Sequence, residues 1–112
     1  MSEPTHLHPS EPQFTDAQLT CILEQSGFYA CLCPASLARQ ALSIRQLAAD
    51  QAACLADDTS GDLAATHHAI LATARAVDRL LQDCLDKVLT IEGWDRTTLT
   101  MPDHLRERLM TP

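Results

Sequence analysis

The chain has five cysteines, and their types and spacing suggest the first possible chemistry. Cys31 and Cys33 stand two residues apart, just before a predicted helix. If the two long helices that follow fold back on each other about a turn near residue 59, residue i faces about residue 119 minus i, which brings Cys84 within one helical step of Cys33. Thiolates bind soft metals such as zinc or copper, or form redox pairs. Cys31, Cys33 and Cys84 are therefore a candidate metal or redox site.

The same cysteines also fit a structural role. Zinc usually takes four ligands, and a single Cys-x-Cys is a weak signal. Cys84 falls in an apolar stripe, which predicts that it is buried and packs as a small hydrophobic residue. Cys33 stands at the predicted N-cap of a helix, where free amides and the helix dipole favour the thiolate, so we expect it to be the most reactive thiol.

The pair His67 and His68 is a second candidate polar site. His67 lies in the apolar stripe, and the expected pairing of the helices places Gln51 near it. A phosphotransfer histidine needs a nearby basic residue, and the closest, Arg75, is two turns away. The sequence favours a histidine at the edge of the core that hydrogen-bonds either Gln51 or a second copy of the chain.

No pattern typical of an active site is present. The sequence has no phosphate-binding loop, no Gly-x-Ser-x-Gly and no His-Glu-x-x-His, so we expect a protein without enzymatic activity. The net charge of −7 and the single lysine disfavour nucleic acid and anionic membranes as partners. The N-terminus does not resemble a secretory signal, and no apolar run is long enough to span a membrane, so we expect a cytoplasmic protein without bound cofactor.

The composition predicts an all-α fold, because 17 Leu and 16 Ala stand against only four Ile and two Val. The length suits one domain. Residues 1–14 contain three prolines and little to bury, and we expect a mobile N-terminal arm there, followed by a single helical domain over 15–112.

Local signals divide this domain into helices. Thr15 and Gln18 form a predicted capping box, and Pro34 suits the first turn of a helix. The predicted elements are helices over 16–26 and 34–56, a turn over 57–62, a helix that closes near 91–93, a loop over 94–100 and a short helix from 101–103.

Apolar residues recur in steps of three and four along both long helices. The apolar seam that they form is longer than the short first helix can cover. A helix of about 30 residues is about 45 Å long, whereas the first helix reaches only about 17 Å. Since monomers seldom expose long apolar strips, we expect two helical hairpins to close into a four-helix-bundle homodimer. In the alternative, a monomer folds its arm and C-terminal helix over the strip. The expected dimer seam is Leu37, Ile44, Leu55, Leu63, Ile70, Val77 and Leu81.

The sequence therefore favours a non-enzymatic helical interaction module that pairs with itself and with another protein, as an adaptor, chaperone-like binder or regulator. The alternative is a thiol-based protein that binds zinc or copper, or senses redox state, through Cys31, Cys33 and Cys84.

Overall fold

The fold is all-α, as the composition predicts. The computed structural model describes residues 12–25, 33–58 and 60–110, with side chains as far as residue 107. Among these residues, extended backbone pairs only at an isolated bridge between Asp95 and Thr100. The helices are α1 (Asp16–Glu24), α2 (Cys33–Asp57), α3 (Ala64–Glu92) and α4 (Asp103–Met110).

The predicted capping box begins α1. Oγ1 of Thr15 accepts the amide of Gln18 at 3.1 Å, and Oε1 of Gln18 accepts the amide of Thr15 at 2.8 Å. These two bonds satisfy amides that the first turn of a helix leaves without a backbone partner. The helix then turns Leu19 and Ile22 inward, where both are fully buried.

Helices α2 and α3 form an antiparallel hairpin. Near the turn, Nδ1 of His67 lies 2.8 Å from Oε1 of Gln51, which confirms the contact predicted for His67. Farther from the turn, Arg45 on α2 contacts Asp78 on α3. The contact of His67 fits the predicted pairing of residue i with about residue 119 minus i, and the long Arg45 side chain reaches Asp78, about one helical turn beyond the residue that this pairing gives.

The core lies at the open end of the hairpin, away from the turn. On α2 it contains only small side chains, Ala35, Ala38 and Ala41, so α1 packs close to α2. The largest fully buried apolar side chains of the core are Phe14, Leu19, Ile22, Leu85, Leu89 and Met101.

Arg45 joins three segments of the chain. Its guanidinium donates to the carboxylates of Asp78 at 3.0 Å and Asp16 at 2.7 Å, and to the carbonyl of Phe14 at 2.8 Å. The amide of Phe14 donates to Oε1 of the buried Gln82 at 2.9 Å. Both backbone groups of Phe14 are thereby satisfied where its ring enters the core.

The segment after α3 folds back into the core. Gly93, with φ of 79°, ends the helix in the left-handed conformation that favours glycine. The amide of Trp94 donates to the carbonyl of Leu89, and Trp94, Leu99 and Met101 are then buried. Leu99 has φ of 59°, a conformation that costs a non-glycine residue about 1 kcal/mol and that its burial offsets.

Two expectations need correction. Phe14 was expected at the end of the arm but is 2% exposed, because it packs between α1 and the hairpin; residues 1–11 of the predicted arm lie outside the described residues. Cys84 was expected to be buried but is exposed. At the open end, the buried side of α3 carries Leu85 and Leu89, one position on from the predicted stripe, because the rest of the core packs there.

We expect Arg45→Ala to lower the free energy of unfolding by about 2 kcal/mol, since it removes hydrogen bonds to charged groups that contribute about 1.5–3 kcal/mol. The Arg45 and Asp78 side chains are only 17% and 18% exposed, so water replaces the lost contact poorly. Urea denaturation followed by circular dichroism measures the change. Arg79→Ala, which removes an exposed arginine from α3, is the control and should change stability by less than about 0.5 kcal/mol. Equal losses in the two variants would contradict the role given to Arg45.

Candidate interaction surface

The hairpin has a second apolar face, on the side away from the core. Leu47 lies nine residues after Ala38, and Leu80 lies nine residues before Leu89. Nine residues make about two and a half helical turns, so each pair projects to opposite sides of its helix. Ala38 and Leu89 belong to the core, which leaves Leu47 and Leu80 on the other side. We call this side of α2 and α3 the outer face.

The outer face is built from rows of residues spaced seven apart. Leu63, Ile70, Val77, Cys84 and Ile91 form one such row along α3 and the residue that precedes it. A spacing of seven keeps a row on one side of a helix and is typical of helices that pack against other helices. The outer face comprises Cys33, Ile44, Leu47 and Cys54 on the α2 side, and Leu63, Ile70, Val77, Leu80, Cys84 and Ile91 on the α3 side.

Several large side chains of the outer face are open to solvent in the single chain. Ile91 is 82% exposed, Leu80 68% and Leu63 58%, and Leu47 is 38% exposed. Single exposed leucines are ordinary, but a row of them on one face marks an interaction surface.

A groove of about 270 Å³ lies at the middle of the outer face. The only polar side chain in its lining is Thr73, whose hydroxyl donates to the carbonyl of Ala69 at 2.9 Å and is thus engaged within α3. The groove therefore offers a binding partner apolar contacts and a concave surface. Its lining is Ile44, Leu47, Ala69, Ile70, Thr73 and Ala74.

The residues predicted for the dimer seam remain accessible in the single chain. Leu63 is exposed, and the others are only partly buried. Leu37 and Leu81 pack against the core, which gives them intramolecular roles, and Leu55 lies near the turn. The other four of the seven predicted residues lie on the outer face, namely Ile44, Leu63, Ile70 and Val77.

The predicted thiol site is only partly described. Cys33 and Cys84 are both exposed, and Cys31 lies outside the described residues. In the part of the chain that is described, no three His, Cys, Asp or Glu side chains are grouped so as to hold a metal ion. Cys54, which the sequence places with Leu47 on the flank of the apolar stripe of the second helix, is exposed on the outer face.

The two histidines do not form a joint site. His67 is partly buried against Gln51, whereas His68 is exposed. Consecutive residues of a helix point about 100° apart, so the two rings face different surroundings. His67 contributes to the contact between α2 and α3.

Charge is unevenly distributed along the hairpin. Residues 46–74, which we call the turn half, contain no Lys or Arg, so all eight basic residues of the chain lie elsewhere. A cluster of like charges without counter-charges creates a local negative potential. The acidic residues of the turn half are Asp50, Asp57, Asp58 and Asp62.

Asp58 organises the turn between the long helices. Its carboxylate accepts the Ser60 hydroxyl at 3.0 Å and the amides of Gly61 at 2.9 Å and Leu63 at 3.2 Å. Desolvation alone would raise the pKa of Asp58, but these hydrogen bonds and the nearby His67 outweigh it and hold the pKa below its ordinary value.

No family model, curated protein or solved structure matches this chain. Among the described helices, none combines the length and the apolar character needed to cross a lipid bilayer.

The lowered pKa of Asp58 predicts a pH dependence of stability. The ionised carboxylate stabilises the fold above its unfolded pKa of about 3.9, and this contribution is lost as the pH falls through the lower folded pKa. Asp58→Asn should therefore be less stable than the wild type at neutral pH, and the difference should shrink below about pH 4. Urea denaturation at several pH values measures it, with the exposed Asp62→Asn as the control. A difference that stays constant from neutral to acidic pH would contradict this role.

Proposed function

We propose that this protein is a non-enzymatic interaction module that acts as a homodimer, with the outer faces of two hairpins packed into a four-helix bundle. The exposure of Leu80 and Ile91, at 68% and 82%, carries the proposal. Burying a leucine or isoleucine side chain contributes about 1.5–3 kcal/mol, so a row of such residues is a strong driving force for association.

A second copy of this chain suits the outer face in length and width. The 25 residues of α2 and the 29 residues of α3 extend about 37 and 43 Å. Two helices side by side at the usual spacing offer a strip of about 700 Å², close to the roughly 800 Å² that each partner buries in a stable complex. An identical hairpin covers this strip from end to end, and the exposed apolar rows of its own outer face become buried as well.

The dimer in this proposal serves another protein, as an adaptor, chaperone-like binder or regulator in the cytoplasm. The net charge of −7 supports a protein partner over nucleic acid, because phosphates would be repelled.

We expect Leu80→Asp to convert the dimer to a monomer, because the dimer would bury an unpaired carboxylate. Since Leu80 is 68% exposed in the single chain, the variant should keep its helical content and fold as a monomer, and its thermal stability should fall only by the contribution of dimerisation. The control is Ala49→Asp, which adds the same charge at an exposed position three turns after Ala38, on the opposite side of α2. Sedimentation at micromolar concentration distinguishes a 12.3 kDa chain from its dimer. A monomeric wild type, or equal dissociation of both variants, would refute the proposal.

Thiol labelling gives an independent test. Cys54 and Cys84 are exposed in the single chain but lie under the dimer interface, so their alkylation should slow as the protein concentration rises. The slowing should reach about tenfold when nine chains in ten are dimeric and only the monomer reacts. In Leu80→Asp both thiols should react at rates independent of concentration. Concentration-independent rates in the wild type would contradict burial of the outer face.

A further inference from the structure

The charge distribution of the hairpin distinguishes two ways of pairing the outer faces. In a parallel dimer the two turn halves lie side by side, and their aspartates meet with no Lys or Arg among residues 46–74 to offset them. In an antiparallel dimer each turn half lies over the open half of the other hairpin, where the five basic residues of α2 and α3 slightly outnumber the four acidic ones. Like charges at close range are destabilising, and opposite charges favour association.

The register of the hairpin shows which residues meet in the antiparallel case. The groove lies about 10–15 residues from the turn, and its edge at Ile44 and Ala74, about 15 residues from the turn on each helix, is at the middle of the length that α2 and α3 share. We take that edge as the position of the two-fold axis. The axis then brings each level of one hairpin against the level equally far on the other side of the axis in the second copy. Asp50 falls at the level of Arg39 of the second copy, and Asp57 at the level of Lys87.

We propose that the homodimer is antiparallel, with the groove of each copy at the two-fold axis and each anionic turn half over the open half of the other copy. This inference rests on the proposed homodimer and specifies its partner surface and direction. Three features support it: the separation of charge along the hairpin, the position of the groove, and the rows of residues spaced seven apart on both helices.

The native cysteines report on this direction. Cys54 is about five residues from the turn, and Cys84 about 25. Within one chain they are about 30 Å apart along the hairpin, too far for a disulfide. In the antiparallel dimer Cys54 of one copy reaches the level of Cys84 of the other copy, and of its Cys33, which is about 26 residues from the turn on α2. In a parallel dimer each cysteine instead lies near its own counterpart.

Disulfide trapping of the full-length wild-type chain tests the proposal. Brief oxidation with copper phenanthroline in air removes two electrons and two protons from each pair of thiols, with oxygen as the acceptor. Trypsin separates Cys54, in the fragment 46–75, from Cys84, in the fragment 80–87, so mass spectrometry identifies the linked pair. We expect a covalent dimer with a mixed link that joins fragment 46–75 either to fragment 80–87 or to fragment 1–39, which contains Cys33. The monomeric Leu80→Asp variant, oxidised in parallel, should give none.

The other outcomes separate this inference from the proposed function. Links of 46–75 to itself or of 80–87 to itself, or a dimer that forms neither mixed link, would overturn the antiparallel arrangement and leave the homodimer standing. A chain that sediments as a monomer would overturn the homodimer itself.

Discussion

The short length of α1 determines what the rest of the molecule can bury. Its nine residues extend about 13 Å, whereas the 29 residues of α3 extend about 43 Å. The core is therefore confined to the open end of the hairpin, where Leu19 and Ile22 meet the beginning of α2 and the end of α3. Toward the turn, the long helices pack mainly on each other. The exposed row on α3 follows from this mismatch.

Local patterns in the sequence were enough to predict the fold class, the capping box of Thr15 and the contact of His67 with Gln51. Each depends on residues a few positions apart or on the pairing that a short turn imposes. The same patterns could not predict which of the apolar rows of α3 is buried in the core of its own chain. Val77 and Cys84 lie next to a second apolar row that contains Leu85, and only packing against the rest of the core chooses between them.

Contacts between distant parts of the chain had no comparable signal. Phe14 is fixed by Gln82, which lies 68 residues away, and no local pattern links the two. The positions of Leu99 and Met101 depend in the same way on a chain reversal after Gly93. The outer face was partly predictable, because its residues recur regularly. Its exposure could not be predicted, because it depends on the packing of α1 against the opposite side of the hairpin.

The alanines at the beginning of α2 restrict how the sequence can diverge. Ala35, Ala38 and Ala41 form the surface of α2 against which α1 packs, and each is at most 2% exposed. A larger side chain there would push α1 away from α2. Because Asp16 belongs to α1, this displacement would also move its carboxylate away from Arg45. Divergence at these three sites is thus restricted to small residues.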